Sequence, residues 1–101
     1  MLQQPLINLK RNRATGSAPE ASITGVSGQK QRVVSVIAYS DTATTLDIVE
    51  GASTVIASFY LEANKNLCEN LRGVLTASVS ETVKAKINAG TGQVVLITAT
   101  M

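Results

Sequence analysis

The chain has 101 residues, one domain's worth, of which 45% are hydrophobic and 16% charged, a balance that excludes a disordered chain and a heavily charged helical bundle. It holds no histidine and one cysteine, Cys68, which excludes an intrachain disulfide and the usual zinc sites. The net charge of +2 is unevenly placed: Lys10, Arg11 and Arg13 stand in residues 1–19 without an acid, and six bases face seven acids in the remainder.

The apolar content is mainly Val, Ile, Leu and Ala, with abundant Ser and Thr, which favours pleated structure over helix. Residues 1–21 read as an extended N-terminal arm. Pro5 and Pro19 disfavour helix there, and Ala14-Thr15-Gly16-Ser17-Ala18 reads as a small-residue linker. The apolar run Leu6-Ile7-Asn8-Leu9 is suited to adding to a sheet edge, its own or a neighbour's. Ser22–Val26 is a short strand. Lys30–Ser40 is the strongest strand, apolar on both alternating faces over Val33–Ile37, which predicts a central and well-covered position. Thr44–Val49 follows a polar turn, and Glu50-Gly51-Ala52-Ser53 is another turn. Thr54–Leu61 is a strand with Val55, Ala57, Phe59 and Leu61 on its core face. Residues 62–73 combine Leu67 and Leu71 at helical spacing with three Asn and a Gly, which predicts an irregular crossover with at most one helical turn. Val74–Val79 is a short strand. Glu81–Asn88 alternates, Val83, Ala85 and Ile87 inward. Ala89-Gly90-Thr91-Gly92 signals a hairpin, and Gln93–Thr100 is the last strand. The expected architecture is an all-β, antiparallel β-sandwich or jelly-roll-like barrel, residues 22–101, preceded by the arm of residues 1–21.

The functional expectations are mostly exclusions. A nucleophile needs an activating base, most often His; Cys68 has none, and its neighbour Glu69 opposes thiolate formation, so a structural cysteine, buried or half-buried, is expected. Asp47 and Glu50 straddle a strand end and a turn, where acids face water. The chain is expected not to be an enzyme and to need no cofactor or metal. Three cations in Lys10-Arg11-Asn12-Arg13 support a salt slope of only about −2.7, and no aromatics interleave to stack bases, so nucleic acid is not the expected partner. Lys84 and Lys86 read as a solvent-facing edge device. Phe59 and Tyr60 must point to opposite faces, which leaves at most Tyr60 and Tyr39 as a carbohydrate platform. No secretory signal or apolar membrane span is read. With three aromatic residues the core is thin, and oligomerisation is the expected staple. A basic arm with an apolar tip suits protein contact, and the residues expected to carry it are Leu6, Ile7, Leu9, Lys10, Arg11 and Arg13.

From about Val26 to Met101 the chain resembles a family of small β-sandwich proteins of tailed bacteriophages, the head decoration or cement proteins. The resemblance rests on Gly28-Gln29-Lys30-Gln31-Arg32-Val33-Val34-Ser35, Leu46-Asp47-Ile48 leading to Glu50-Gly51-Ala52-Ser53-Thr54, Phe59-Tyr60-Leu61-Glu62-Ala63-Asn64, and Leu75-Thr76-Ala77-Ser78-Val79-Ser80-Glu81-Thr82-Val83 before a final hairpin strand. Ser80 stands where a glycine is frequent. The resemblance implies a structural virion protein, made in the host cytoplasm, that binds the major capsid protein on the outer capsid surface between capsomers, commonly as a trimer. Neck, tail or fibre proteins of the same look, and carbohydrate- or receptor-binding sandwiches, are the alternatives.

Overall fold

β-Branched residues at alternate positions, broken by short polar turns, build eight strands and no helix in the computed structural model, which describes residues 9–100 apart from the side chains of residues 72–74. The strands are β1 (Leu9–Ser17), β2 (Glu20–Ile23), β3 (Gln31–Ser40), β4 (Thr44–Glu50), β5 (Thr54–Leu61), β6 (Lys65–Thr76), β7 (Val83–Ile87) and β8 (Thr91–Thr100). They form two antiparallel four-stranded sheets, ordered β1-β8-β3-β6 and β2-β7-β4-β5. Successive strands therefore alternate between sheets at most steps, the wiring of a jelly roll.

The expected arm is corrected by this wiring. From Leu9 onward the chain is part of the sandwich. β1 pairs with β8 along its whole length, Leu9 opposite Ala99 through Ser17 opposite Thr91. β2 then crosses to the other sheet and pairs with β7. The small-residue run at 14–18 is mostly strand and not linker, because an edge strand is held by its backbone ladder and needs few side-chain contacts. Ala14 does pack against the core. The corner that follows is fixed by backbone bonds from Ala18 N–H to the Gly90 carbonyl (2.7 Å) and from Ile87 N–H to the Pro19 carbonyl (3.0 Å). The expected contacts Leu6 and Ile7 lie outside the described residues.

The core lies between the sheets. Leu46, Ile48, Leu61, Val83, Ala85 and Ile87 from one sheet meet Val33, Val36, Ala38, Val94 and Leu96 from the other, all of them buried. Residues 65–76 are a strand, not the crossover expected. Leu67 and Leu71 both pack on the core, and a spacing of four suits a strand face as well as a helix face, since four is twice the strand period. β5 departs from simple alternation too. Its ladder with β4 slips between Ile48 and Val49, so that Val49 faces Val55 while Ile48 faces Ala57. The extra residue, Ile56, turns Val55 away from the core, where it is 51% exposed.

One end of the sandwich is closed by a buried polar side chain. The Gln31 amide nitrogen donates to the carbonyls of Ile23 (3.1 Å), Thr24 (3.4 Å) and Glu81 (3.2 Å), and its oxygen accepts from the Thr98 hydroxyl (2.7 Å). Gln31 and Thr98 are both buried, so these bonds tie the sheets together out of water. Beside them, Ser80 holds a left-handed φ of 68°, a conformation that glycine adopts at less cost. The Ser80 hydroxyl accepts from Gly28 N–H at 2.8 Å.

Candidate functional site

The two outer faces of the sandwich differ in chemistry, and the difference follows from register. On the β1-β8-β3-β6 sheet, strand partners align Arg13, Val95, Ile37 and Cys68 in one row across the sheet, and Arg11, Ile97, Ser35 and Asn70 in the next. A third row holds Leu9, Ala99, Arg32 and Thr76, and a fourth Thr15, Gln93, Tyr39 and Asn66. Val33, Val36, Ala38, Val94 and Leu96 fill the core between these rows, with one ladder slip on β3 between Val33 and Ser35, so the rows point away from it.

The result is an apolar centre of Val95, Ile97 and Ile37 bordered by Arg11 and Arg13 on the β1 edge and by Arg32 in the third row. Ile37 is 38% exposed and Leu9 56%, while Val95 and Ile97 are half-buried among their strand neighbours. β3 is thus central in its sheet, as its sequence predicts, but covered on one face only. Its ladders with β6 and β8 slip between Val33 and Ser35, so that Val33, Val36 and Ala38 face the core while Ser35 and Ile37 look outward. Cys68, expected at least half-buried, is exposed on this face.

Strand alternation splits the basic cluster. Arg11 and Arg13 flank the apolar centre with Leu9. Lys10 and Asn12 sit opposite Thr98 and Leu96 and turn to the other side of the edge strand. Asn12 acts structurally there, its Oδ1 accepting from Ser22 N–H at 3.0 Å, which ties β1 to β2. Arg13 is steadied by its Nε donating to Gln93 Oε1 at 3.1 Å. Of the residues expected to form the contact, the structure brings together Leu9, Arg11 and Arg13 and sets Lys10 apart. The sequence reading missed Val95, Ile97, Ile37 and Arg32. The signal for Ile37 was the doubly apolar run on β3, read as full coverage, and that for Val95 and Ile97 was the unbroken run Val94-Val95-Leu96-Ile97 on β8; nothing local marked Arg32.

The outer face of the β2-β7-β4-β5 sheet mixes paired charges with an apolar row, Val49 and Val55 beside Ser22 and Lys84. Glu20, Lys86, Asp47 and Ser58 form one row. Lys84 and Lys86 lie on β7, an interior strand of the sheet, so they are not the edge device expected; Lys86 stands between two carboxylates. Ser58 Oγ donates to Asp47 Oδ1 at 2.6 Å, and Asn88 Nδ2 donates to Asp47 Oδ2 at 3.0 Å and to Thr45 Oγ1 at 2.7 Å. The bonds from Ser58 and Asn88, with the charge of Lys86, hold the Asp47 carboxyl below its ordinary value of 3.8. Asp41, in the turn after β3, is lowered as well, first by the Thr91 N–H and then by the Thr42 hydroxyl. Tyr60 stands on the same outer face opposite Thr45 and is 67% exposed. Phe59 points the other way and packs on the core, the opposition expected of neighbours in a strand. Tyr39 is half-buried, its hydroxyl donating to Asn64 Oδ1 at 3.0 Å.

An open depression of about 420 Å³ at the start of β1 is lined by Leu9, Lys10, Val26, Gln29 and Thr100. Among the described residues, that lining brings no carboxylate and no aromatic ring to the depression.

No family model and no curated protein matches the sequence. Among solved structures, the chain is similar to the Drosophila NLP core, described for pentamer formation and histone binding, with 13% identity over 92% of this chain and 97% of that one and a TM-score of 0.56. It is similar to a family two carbohydrate esterase from Clostridium thermocellum in complex with cellohexaose, with 11% identity over 93% of this chain but only 33% of that one and a TM-score of 0.50. A coat protein of Tobacco streak virus aligns at 14% identity over 98% of this chain and 90% of that one, with a TM-score of 0.41. At these identities the likeness is one of fold.

Proposed function

We propose that this chain is a non-catalytic structural subunit of a virion, a decoration protein that binds the major capsid protein on the outer surface of a phage head between capsomers and braces it as a homotrimer. The observation that supports this most is the sidedness of the sandwich. One outer face sets Lys86 between Glu20 and Asp47; the other carries an apolar centre of Val95, Ile97 and Ile37 beside Leu9, Arg11 and Arg13. Such a face is suited to a protein surface. The mechanism is mass action: a subunit that binds the assembled shell and not its free components stabilises the shell in proportion to the logarithm of its concentration over the dissociation constant. The test is co-sedimentation of the full-length chain with purified expanded capsids, followed by electron microscopy of the particles. Density on the head between capsomers is the expected result; density at the neck or tail moves the assignment there, and absence of binding removes the virion reading.

One observation favours a second reading, a carbohydrate-binding module. Tyr60 is 67% exposed beside Thr45, Asn88 and Asp47 on the β2-β7-β4-β5 sheet, and an aromatic face among fixed hydrogen-bonding groups suits a sugar ring. A glycan array probed with the native chain and with Tyr60→Ala decides it. Signal lost in the variant supports the module, and an array without signal removes it.

A further inference from the structure

We infer that the outer face of the β1-β8-β3-β6 sheet takes a protein surface whose apolar centre is bordered by carboxylates. This rests on the binding reading above and adds the chemistry of the partner. Among the described residues, the strand positions on this face include three guanidinium groups, Arg11, Arg13 and Arg32, and no carboxylate. The one ion pair among the described residues, Lys65 with Glu62 at 3.0 Å, lies elsewhere. On the opposite face the register sets Lys86 between Glu20 and Asp47. The fold therefore sets a cation between carboxylates on one side, and on the other leaves three guanidinium groups with no carboxylate among the described strand residues of that face.

The geometry selects among occupants. Guanidinium groups present paired donors that match a carboxylate and hold that match when water is excluded. Arg11 and Arg13 lie two residues apart on β1, on the same side and at the ends of the two rows that contain Ile97 and Val95. A partner that covers those rows brings its own border against both cations. Two copies joined face to face through this sheet would supply only further guanidinium groups to one another, which disfavours self-pairing. A nucleic-acid backbone would satisfy the arginines but would strip water from Val95, Ile97 and Ile37 without replacing it by apolar contact.

Cys68 reports on this face because it shares a row with Ile37, is exposed, and is the only cysteine in the chain. The experiment follows the rate of Cys68 alkylation in the full-length chain at low salt. The probes are an acidic copolymer of glutamate and tyrosine, poly-glutamate, and duplex DNA. The copolymer is expected to slow alkylation by about fivefold or more, with the effect shrinking at physiological ionic strength. Arg11→Glu together with Arg13→Glu, and separately Ile37→Ser, are expected to abolish that protection while the unfolding midpoint stays within error of the native chain. Absence of protection overturns the inference, as does equal protection by poly-glutamate or by DNA. Repeating the alkylation on capsid-bound chain separates the two readings. A chain that sediments with capsids but leaves Cys68 fully reactive overturns the inference and keeps the virion reading. Protection by the copolymer without capsid binding keeps the inference and removes the virion reading.

Discussion

Replacing Gln31 by leucine keeps approximate length and removes every hydrogen bond its side chain makes. The amide has two N–H hydrogens spread over the carbonyls of Ile23, Thr24 and Glu81, and its oxygen accepts from Thr98. The change therefore costs the equivalent of three bonds, with acceptors and a hydroxyl left in a site where Gln31 is 1% and Thr98 0% exposed. A buried polar group without a partner costs about 1–3 kcal/mol. Set against the gain from burying an isobutyl group, about 1.5 kcal/mol or more, the net expectation is a loss of about 3 kcal/mol. With a urea slope of about 1.5 kcal/mol per molar, the midpoint falls by about 2 M. Urea titration followed by far-ultraviolet circular dichroism measures it, and a fall of less than about 0.5 kcal/mol would refute the idea that this side chain ties the sheets. Gln31→Glu supplies a second reading of the same site. Its carboxylate would face three carbonyl oxygens, so the folded state favours the protonated acid and raises its pKa above the unfolded value of about 4.3. Between those two values the folded state binds more protons than the unfolded state. Stability of this variant therefore falls as pH rises, by about 1.4 kcal/mol per pH unit over that interval, and a pH-independent difference from the native chain would argue against the geometry.

Asp47 works in the opposite sense. Its folded pKa is lowered by Ser58 and Asn88, so its contribution is present above the ordinary value of 3.8 and is lost as pH falls through the lowered one; Asp47→Asn is expected to flatten the acid limb of stability measured between pH 2 and 5. Gly92→Ala should cost at least about 2 kcal/mol in the same urea titration, because a Cβ there would overlap the Tyr39 carbonyl oxygen of the neighbouring strand. Ile48→Ala, at a fully buried position, should cost about 2–5 kcal/mol. Tyr60→Ala, at an exposed one, should leave the midpoint within about 0.5 kcal/mol, and a larger loss would mean that the ring packs in solution against something absent here.

Six of the eight strands lie in or near stretches whose alternation can be read directly, because β-branched residues at period two have one way to bury a face. Val83, Ala85 and Ile87 on β7 show it most simply. Thr54–Leu61 has the bounds read from the sequence, yet the inserted Ile56 reverses the direction of Val55, and no local pattern announces where a ladder slips. β6 was hidden because Leu67 and Leu71 satisfy both periods, and only pairing with β3 chose between them. The basic run at Lys10–Arg13 is visible as charge, but its use depends on which alternate side chains meet Val95 and Ile97, residues more than eighty positions away. What the sequence determined by itself was the β character, the absence of histidine and the location of the N-terminal charge. Tertiary structure alone decided that β1 completes a sheet and that the doubly apolar β3 is covered on one side. Burial of a strand face is a property of what lies across from it, and strand-to-strand register is set by contacts between distant segments, not by the residues that alternate within one.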